Sequence, residues 1–440
     1  MPSTVTRRWT HALVTAAVAT LAISACSDGA DDVSARASVG WSSWGGDAAN
    51  SNFAYPTVAS DVAVRWTRPT GGPISAPVTI SGRSNVGVTS DTPSGCNVFY
   101  FDPRAGRKNF CTRMASGVEL NAMLVDQSDN VYLGEPGRFL ALNGSGIIRW
   151  RFPTIGAPLP AKFAGPGQVL LVTTQGQVVL FDAQTGDPIA PELDLYPGAD
   201  PAKPAEGLGD CITGGPHCPI ATSPAVDSAA RRFYLNIWPK GSIASQVRAL
   251  SYAPDKGGRT IREAWKSDIP GGVIGAPTLS ADNKTLYVFG RLGSLYAIDA
   301  ATGKPKWDQY IGGYGFGTMT VSPDGLIVPT PVLGGPLLAL RDKGTKAEVA
   351  WRRDDLGVVG LSTATQSKTV WVPVRDKGGD ALSLREVSAA DGRDVRTVAL
   401  PGSVGFVTGV SVSAAGQLAT ATNLGEVYFL DKPQAKTPTS

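Results

Sequence analysis

Apolar and polar runs follow one recurring order along the chain. The clearest copy is GAPTLSADNKTLYVFGRLGSLYAIDAATGKPKW, residues 275–307. An apolar stretch over 277–280 ends at a polar turn, and a second runs over 285–290. Gly293 turns the chain into a third over 294–299, and the turn at 300–303 leads to a fourth that ends at Trp307. Short apolar or alternating runs bounded by Gly, Asn and Asp predict strands joined by tight hairpins. The third run returns eight times, as VFYFD (98–102), FLALN (139–143), VVLFD (178–182), VRALS (247–251), LYAID (295–299), LLALR (337–341), LSLRE (382–386) and VYFLD (427–431). Trp150, Trp265, Trp307 and Trp351 mark the fourth run in four units.

The repeat spacing is about 47 residues, the size of a four-stranded antiparallel propeller blade. Such a sheet is apolar on both faces and must stack on neighbours, and closure into a ring buries the end units as well. The eighth unit stops after its third strand. Residues 62–68 (VAVRWTR), with Trp66 in the Trp position, are expected to complete it. The expectation is an all-β, eight-bladed β-propeller over residues 41–432, with a disordered tail at 433–440.

Composition agrees with this. Gly (52) and Pro (33) are abundant among 440 residues and charged residues make up 18%, which disfavours coiled coils and long surface helices. Hydrophobic content of 42% is enough for a packed core and excludes general disorder. The net charge is +3 and falls further without Arg7 and Arg8, so the chain has no general pull toward nucleic acid. There are only two histidines, His11 and His217. A multi-His zinc site is excluded, and a Ser-His-Asp triad would have to use His217, with no GxSxG elbow to supply the serine.

Residues 1–25 read as a signal peptide, with Arg7 and Arg8 ahead of an apolar run from Ala12 to Ile23. The sequence Ile23-Ser24-Ala25-Cys26 resembles a bacterial lipobox, which implies cleavage before Cys26 and its lipidation. Residues 26–40 are then the lipidated Cys and a small, polar, flexible tether. Cys96, Cys111, Cys211 and Cys218 remain, an even number, and outside the cytoplasm they favour two disulfides. Three pairings are open; the sequence-local pairs 96–111 and 211–218 fit best. A zinc site at Cys211, His217 and Cys218 lacks a fourth ligand.

Tyr296-Ala-Ile-Asp-Ala-Ala-Thr-Gly-Lys-Pro-Lys-Trp307 resembles the pyrroloquinoline-quinone-type repeat, and Trp44 to Asn52 (WGGDAANSN) is similar to the opening segment of such domains. The resemblance implies that Asp299, Gly303 and the tryptophans Trp66, Trp150, Trp265, Trp307 and Trp351 pack blades. It points to two branches. Quinoprotein dehydrogenases hold the quinone and calcium in an eight-bladed funnel. Propeller lipoproteins similar to the B component of the β-barrel assembly machinery act as scaffolds. The compact blades and the lack of adjacent cysteines favour the second branch.

The expected function is therefore that of an exported, lipid-anchored, non-catalytic binding or scaffold module at the cell envelope. It would act as a monomer with a protein partner, no cofactor and no nucleic acid, on the outer face of the cell membrane or in an outer membrane. The alternatives are a quinone-dependent dehydrogenase with calcium, or a polysaccharide-binding propeller. One stretch departs from the repeat: residues 191–222, rich in Pro and Gly, form an insertion that is expected either to be a binding lip or to be merely tolerated.

Overall fold

The computed structural model describes residues 34–433, apart from 212–214, 216, 274, 313–317, 331–334 and 377. Among these residues seven blades are four-stranded antiparallel sheets, and the seventh in chain order is a four-stranded antiparallel blade widened to six strands by Gly357–Val358 and by Phe53–Ala54, which pairs parallel to its first strand; a two-stranded hairpin, two short 3-10 turns and no α-helix complete the set. Blade five is typical: Thr278–Leu279, Thr285–Phe289, Ser294–Asp299 and Pro305–Tyr310 pair in order. First strands neighbour one another around the ring and form its hub. Second and third strands are buried on both faces, as Val178, Val179, Leu180 and Phe181 show. A sheet without a wet face can only persist stacked between others.

Blade eight contains Val407–Val412, Leu418–Thr422 and Glu426–Asp431, and Ala63–Pro69 lies antiparallel on the last of these, with Trp66 opposite Phe429. The signal-peptide, lipidation and tail expectations, Cys26 included, fall on 1–33 and 434–440, outside the described residues.

The tryptophans and glycines form a blade-to-blade clasp. The Trp66 indole Nε1 donates to Pro103 O of blade one (3.1 Å), Trp150 to Ala183 O (3.1 Å), Trp265 to Ala300 O (3.0 Å) and Trp351 to Ala389 O (3.0 Å). Each ring lies flat on a glycine of the next blade's third-to-fourth turn. A Cβ at Gly106, Gly186, Gly303 or Gly392 would come within 2.5–2.7 Å of the ring. All four glycines also have φ between +63° and +77°, so glycine is required there twice over. Asp299 shapes its turn by accepting from Ala301 N, Thr302 N and Thr302 Oγ1. The Thr302 hydroxyl is the main cause holding its carboxyl below the usual range. In blade five, Trp307 instead donates to the Asp342 carboxylate of blade six (2.9 Å).

Candidate functional site

The two faces of the ring are built differently. One face, called here the turn face, carries the first-to-second and third-to-fourth turns. The other, the connection face, carries the second-to-third turns and the links between blades.

On the turn face the hub is covered by the chain's own N-terminal segment, residues 35–54. Its backbone bonds in sequence to the ends of first strands or to the adjoining turns. Gly167 N donates to Ala35 O, Ser38 N to Val125 O, and Trp41 exchanges two bonds with Ile80; Val226 N, Leu279 N, Val321 N and Ala364 N donate to Ala48, Ala49, Ser51 and Asn52. Seven blades are thus engaged, and Trp41 and Ala54 share a core cluster with blade eight. The flexible tether expected over 26–40 therefore ends earlier than its composition suggested. Residues 35–40 are ordered because their peptide groups complete otherwise unpaired turn groups.

Asn50 and Asn52 adopt φ of 60° and 46° and send their side-chain amides into the hub. Asn50 Nδ2 donates to Ser223, Pro224 and Pro277 carbonyls, and Asn52 Nδ2 to Met319 O and to Thr318. Lys162, on the first strand of blade three, is fully buried beneath this segment. Its Nζ donates to Ser43 Oγ (3.2 Å), Asp47 O (2.6 Å) and Trp44 O. Burial pulls its pKa down from 10.5 to about 7, and the Asp47 charge pulls the other way. None of this was read from the sequence. The available signal was a lysine inside an apolar run, LPAKFA at 159–164.

The connection face carries the insertion. Leu193–Asp194, inside the expected 191–222 insertion, is instead the fourth strand of blade three. Beyond it the chain crosses the second-to-third turns of its neighbours. Pro204 lies by Gly137 of blade two, and Leu208 by Gly117. Gln175 of blade three donates to Glu206 O and His217 O, and Trp238 N of blade four donates to Pro219 O. Disulfides join Cys211 to Cys218 (S–S 2.04 Å) and Cys96 to Cys111 (2.01 Å), the sequence-local pairs. Cys218 and Ile220 are fully buried, so the insertion is anchored in the core, while the His217 side chain faces solvent.

The rest of this face presents isolated large apolar side chains. Ile243 is 97% exposed at a second-to-third turn, and Leu292 and Leu424 occupy the same turn position in blades five and eight. Tyr310, at the end of the fourth strand of blade five, and Phe406, in the link from blade seven to blade eight, are exposed as well. A cavity of about 440 Å³ between blades five and six is lined by Phe289, Tyr310, Ile311, Leu338 and Arg352 among others.

Calcium needs several converging oxygen ligands. Among the described residues no three His, Cys, Asp or Glu side chains gather to hold a metal ion. The fully buried Lys162 amino group is occupied by the N-terminal segment. This donor set does not suit a calcium–quinone pair, and no chemistry is derived through one.

A family model described as outer membrane protein assembly factor BamB matches residues 246–422. Protein Rv3035 of Mycobacterium tuberculosis is 37% identical over 407 residues, covering 90% of this chain and 97% of that protein. Among solved structures, BamB from Moraxella catarrhalis superimposes with a TM-score of 0.55 at 16% identity, over 84% of this chain and 99% of its own. Quinohemoprotein alcohol dehydrogenase ADHIIG from Pseudomonas putida HK5 does so with 0.61 at 16% identity, over 91% and 82%. At that identity both share the fold alone. The chain belongs to one family with Protein Rv3035, and over residues 246–422 it carries the pyrroloquinoline-quinone-like propeller repeat described by the BamB model.

Proposed function

We propose that the protein is an extracytoplasmic, lipid-anchored, non-catalytic scaffold that offers its connection face to a protein partner of the cell envelope. The observation that carries this reading is the contrast between the faces. The hub is closed by the chain itself on one side. The other side bears a disulfide-stapled insertion anchored through Cys218 and Ile220, and exposed apolar side chains at turn tips. Exposed Leu, Ile and Phe on a rigid frame favour a protein contact over a sugar or a small reactant. The two disulfides and the BamB-like similarity are consistent with a location outside the cytoplasm.

The test is photocrosslinking in intact cells from positions 243, 292 and 424, with positions 104 and 390 on the turn face as controls. Protein adducts specific to the first set support the scaffold. Saturable quinone binding with calcium, coupled to dye reduction by an alcohol, would replace it with the dehydrogenase reading. Adducts with polysaccharide would replace it with a glycan-binding one.

A further inference from the structure

The turn face carries an arginine-lined groove of about 540 Å³ on blade one. Its walls are Arg83 from the first-to-second turn, Arg104 and Arg107 from the third-to-fourth turn, and Asn85 and Asn109, which bond to one another (3.0 Å). All three arginines are exposed, Arg83 with 75% of its side chain in solvent. Arg65 and Arg68 border them across the seam with blade eight, bonding Arg104 O and Gly106 O.

One acid lines the groove itself: Asp102, whose carboxylate accepts from the amides of Arg104, Ala105 and Arg107. Asp126 is held by Ser128, Asn130 and Tyr132, and Asp129, almost buried, lies 3.5 Å from Arg83 and accepts from Tyr100. Three guanidinium groups around an open groove match the geometry of phosphate oxygens.

The N-terminal segment enters the domain on this same face, beside blades one to three. Ala35 O accepts from Gly167, Arg36 bonds Gln127 twice, and Ser38 Oγ accepts from Gly82. Cys26 lies nine residues before Ala35. At full extension those residues reach about 32 Å, so a lipid on Cys26 confines this face to within that distance of a bilayer.

We propose that the turn face lies against an anionic membrane surface, and that the groove of Arg83, Arg104 and Arg107 seats lipid phosphate headgroups. The connection face is thereby presented away from the lipid. This inference rests on the lipid-anchored reading above for its distance argument and on the groove for its chemistry.

The full chain, produced in a lipidating bacterial host, is placed in nanodiscs of phosphatidylcholine with or without phosphatidylglycerol, and hydrogen exchange is followed. The turns at 82–85 and 102–109 are expected to exchange about tenfold more slowly in the anionic discs. R83E/R104E/R107E should lose that protection and bind added anionic vesicles on the order of a hundredfold more weakly. K240E/K266E should behave as the unsubstituted chain. Protection of the second-to-third turns instead, or equal exchange in both lipids, overturns the proposal. The mass of the N-terminal peptide reports acylation of Cys26 independently. If it is not acylated, the anchor reading fails, while protection of the same turns by added anionic vesicles still supports the groove.

Discussion

Lys162→Met removes the buried amino group that pins the N-terminal segment to blade three. The side chain keeps its length, but Trp44 O and Asp47 O lose their donor in a buried site. Leaving a buried acceptor unmade costs about 1–3 kcal/mol, so two such groups cost about 3 kcal/mol. This cost depends on pH. The folded pKa of Lys162 is about 7, below its ordinary 10.5. Between those values the unfolded chain binds a proton that the folded chain does not. Stability from this group therefore rises with pH across the window, by up to about 1.4 kcal/mol per unit, or roughly 2 kcal/mol from pH 7 to 9. Below pH 7 both states are charged and the contribution is flat. The buried tyrosines act in the opposite sense above pH 10, because burial raises Tyr100, Tyr132 and Tyr287, so the titration stops at pH 9. Denaturant unfolding followed by tryptophan fluorescence should show Lys162→Met about 3 kcal/mol less stable at pH 9. The gap should narrow to about 1 kcal/mol at pH 7, with early proteolysis within residues 35–60. An unchanged pH slope in the variant, or equal stability at pH 9, would refute the reasoning.

Gly303→Ala places a methyl 2.5 Å from the Trp265 ring at φ of +74°, and should destabilise by about 2–4 kcal/mol in thermal unfolding, with a blue-shifted or broadened tryptophan emission. Cys211→Ser/Cys218→Ser opens a short loop and should cost about 2 kcal/mol, with new protease cleavage between 205 and 217 as the local readout. Leu292→Asp/Leu424→Asp changes two exposed turn tips. Stability should stay within about 0.5 kcal/mol in the same melts, while crosslinked adducts from position 243 fall sharply.

The ring was legible because its physics repeats. Each blade must bury two faces, so the apolar runs recur, and four of the tryptophans, Trp66, Trp150, Trp265 and Trp351, sit on a glycine of the next blade, so the motif recurs one blade later. The N-terminal segment was not legible, because its bonds are made by backbone groups and by Asn50, Asn52 and Lys162 to partners scattered over the chain. WGGDAANSN suggested an opening segment but not where it lies. The fourth strand of blade three was hidden for a different reason. Two residues, Leu193–Asp194, carry no periodicity, and Pro191 ahead of them reads as a loop. The candidate contact face was half visible. Leu292 and Leu424 sit in the turns RLGS and NLGE, where a polar residue would satisfy the fold, and both apolar side chains are more than half exposed.

The clasp also explains where the molecule can afford variation. Four seams are closed by an indole on a glycine, with the hydrogen bond going to a backbone carbonyl that no substitution removes. The seam between blades five and six is closed by a side chain instead. Asp342 accepts from Trp307, from Tyr287 (2.8 Å) and from Gly344 N, in a turn with no glycine beneath the ring. The cavity on the connection face opens at this same seam. The repeat therefore fixes the ring at the four seams it clasps by packing, while the seam held by Asp342 is closed by a side chain that the repeat does not supply.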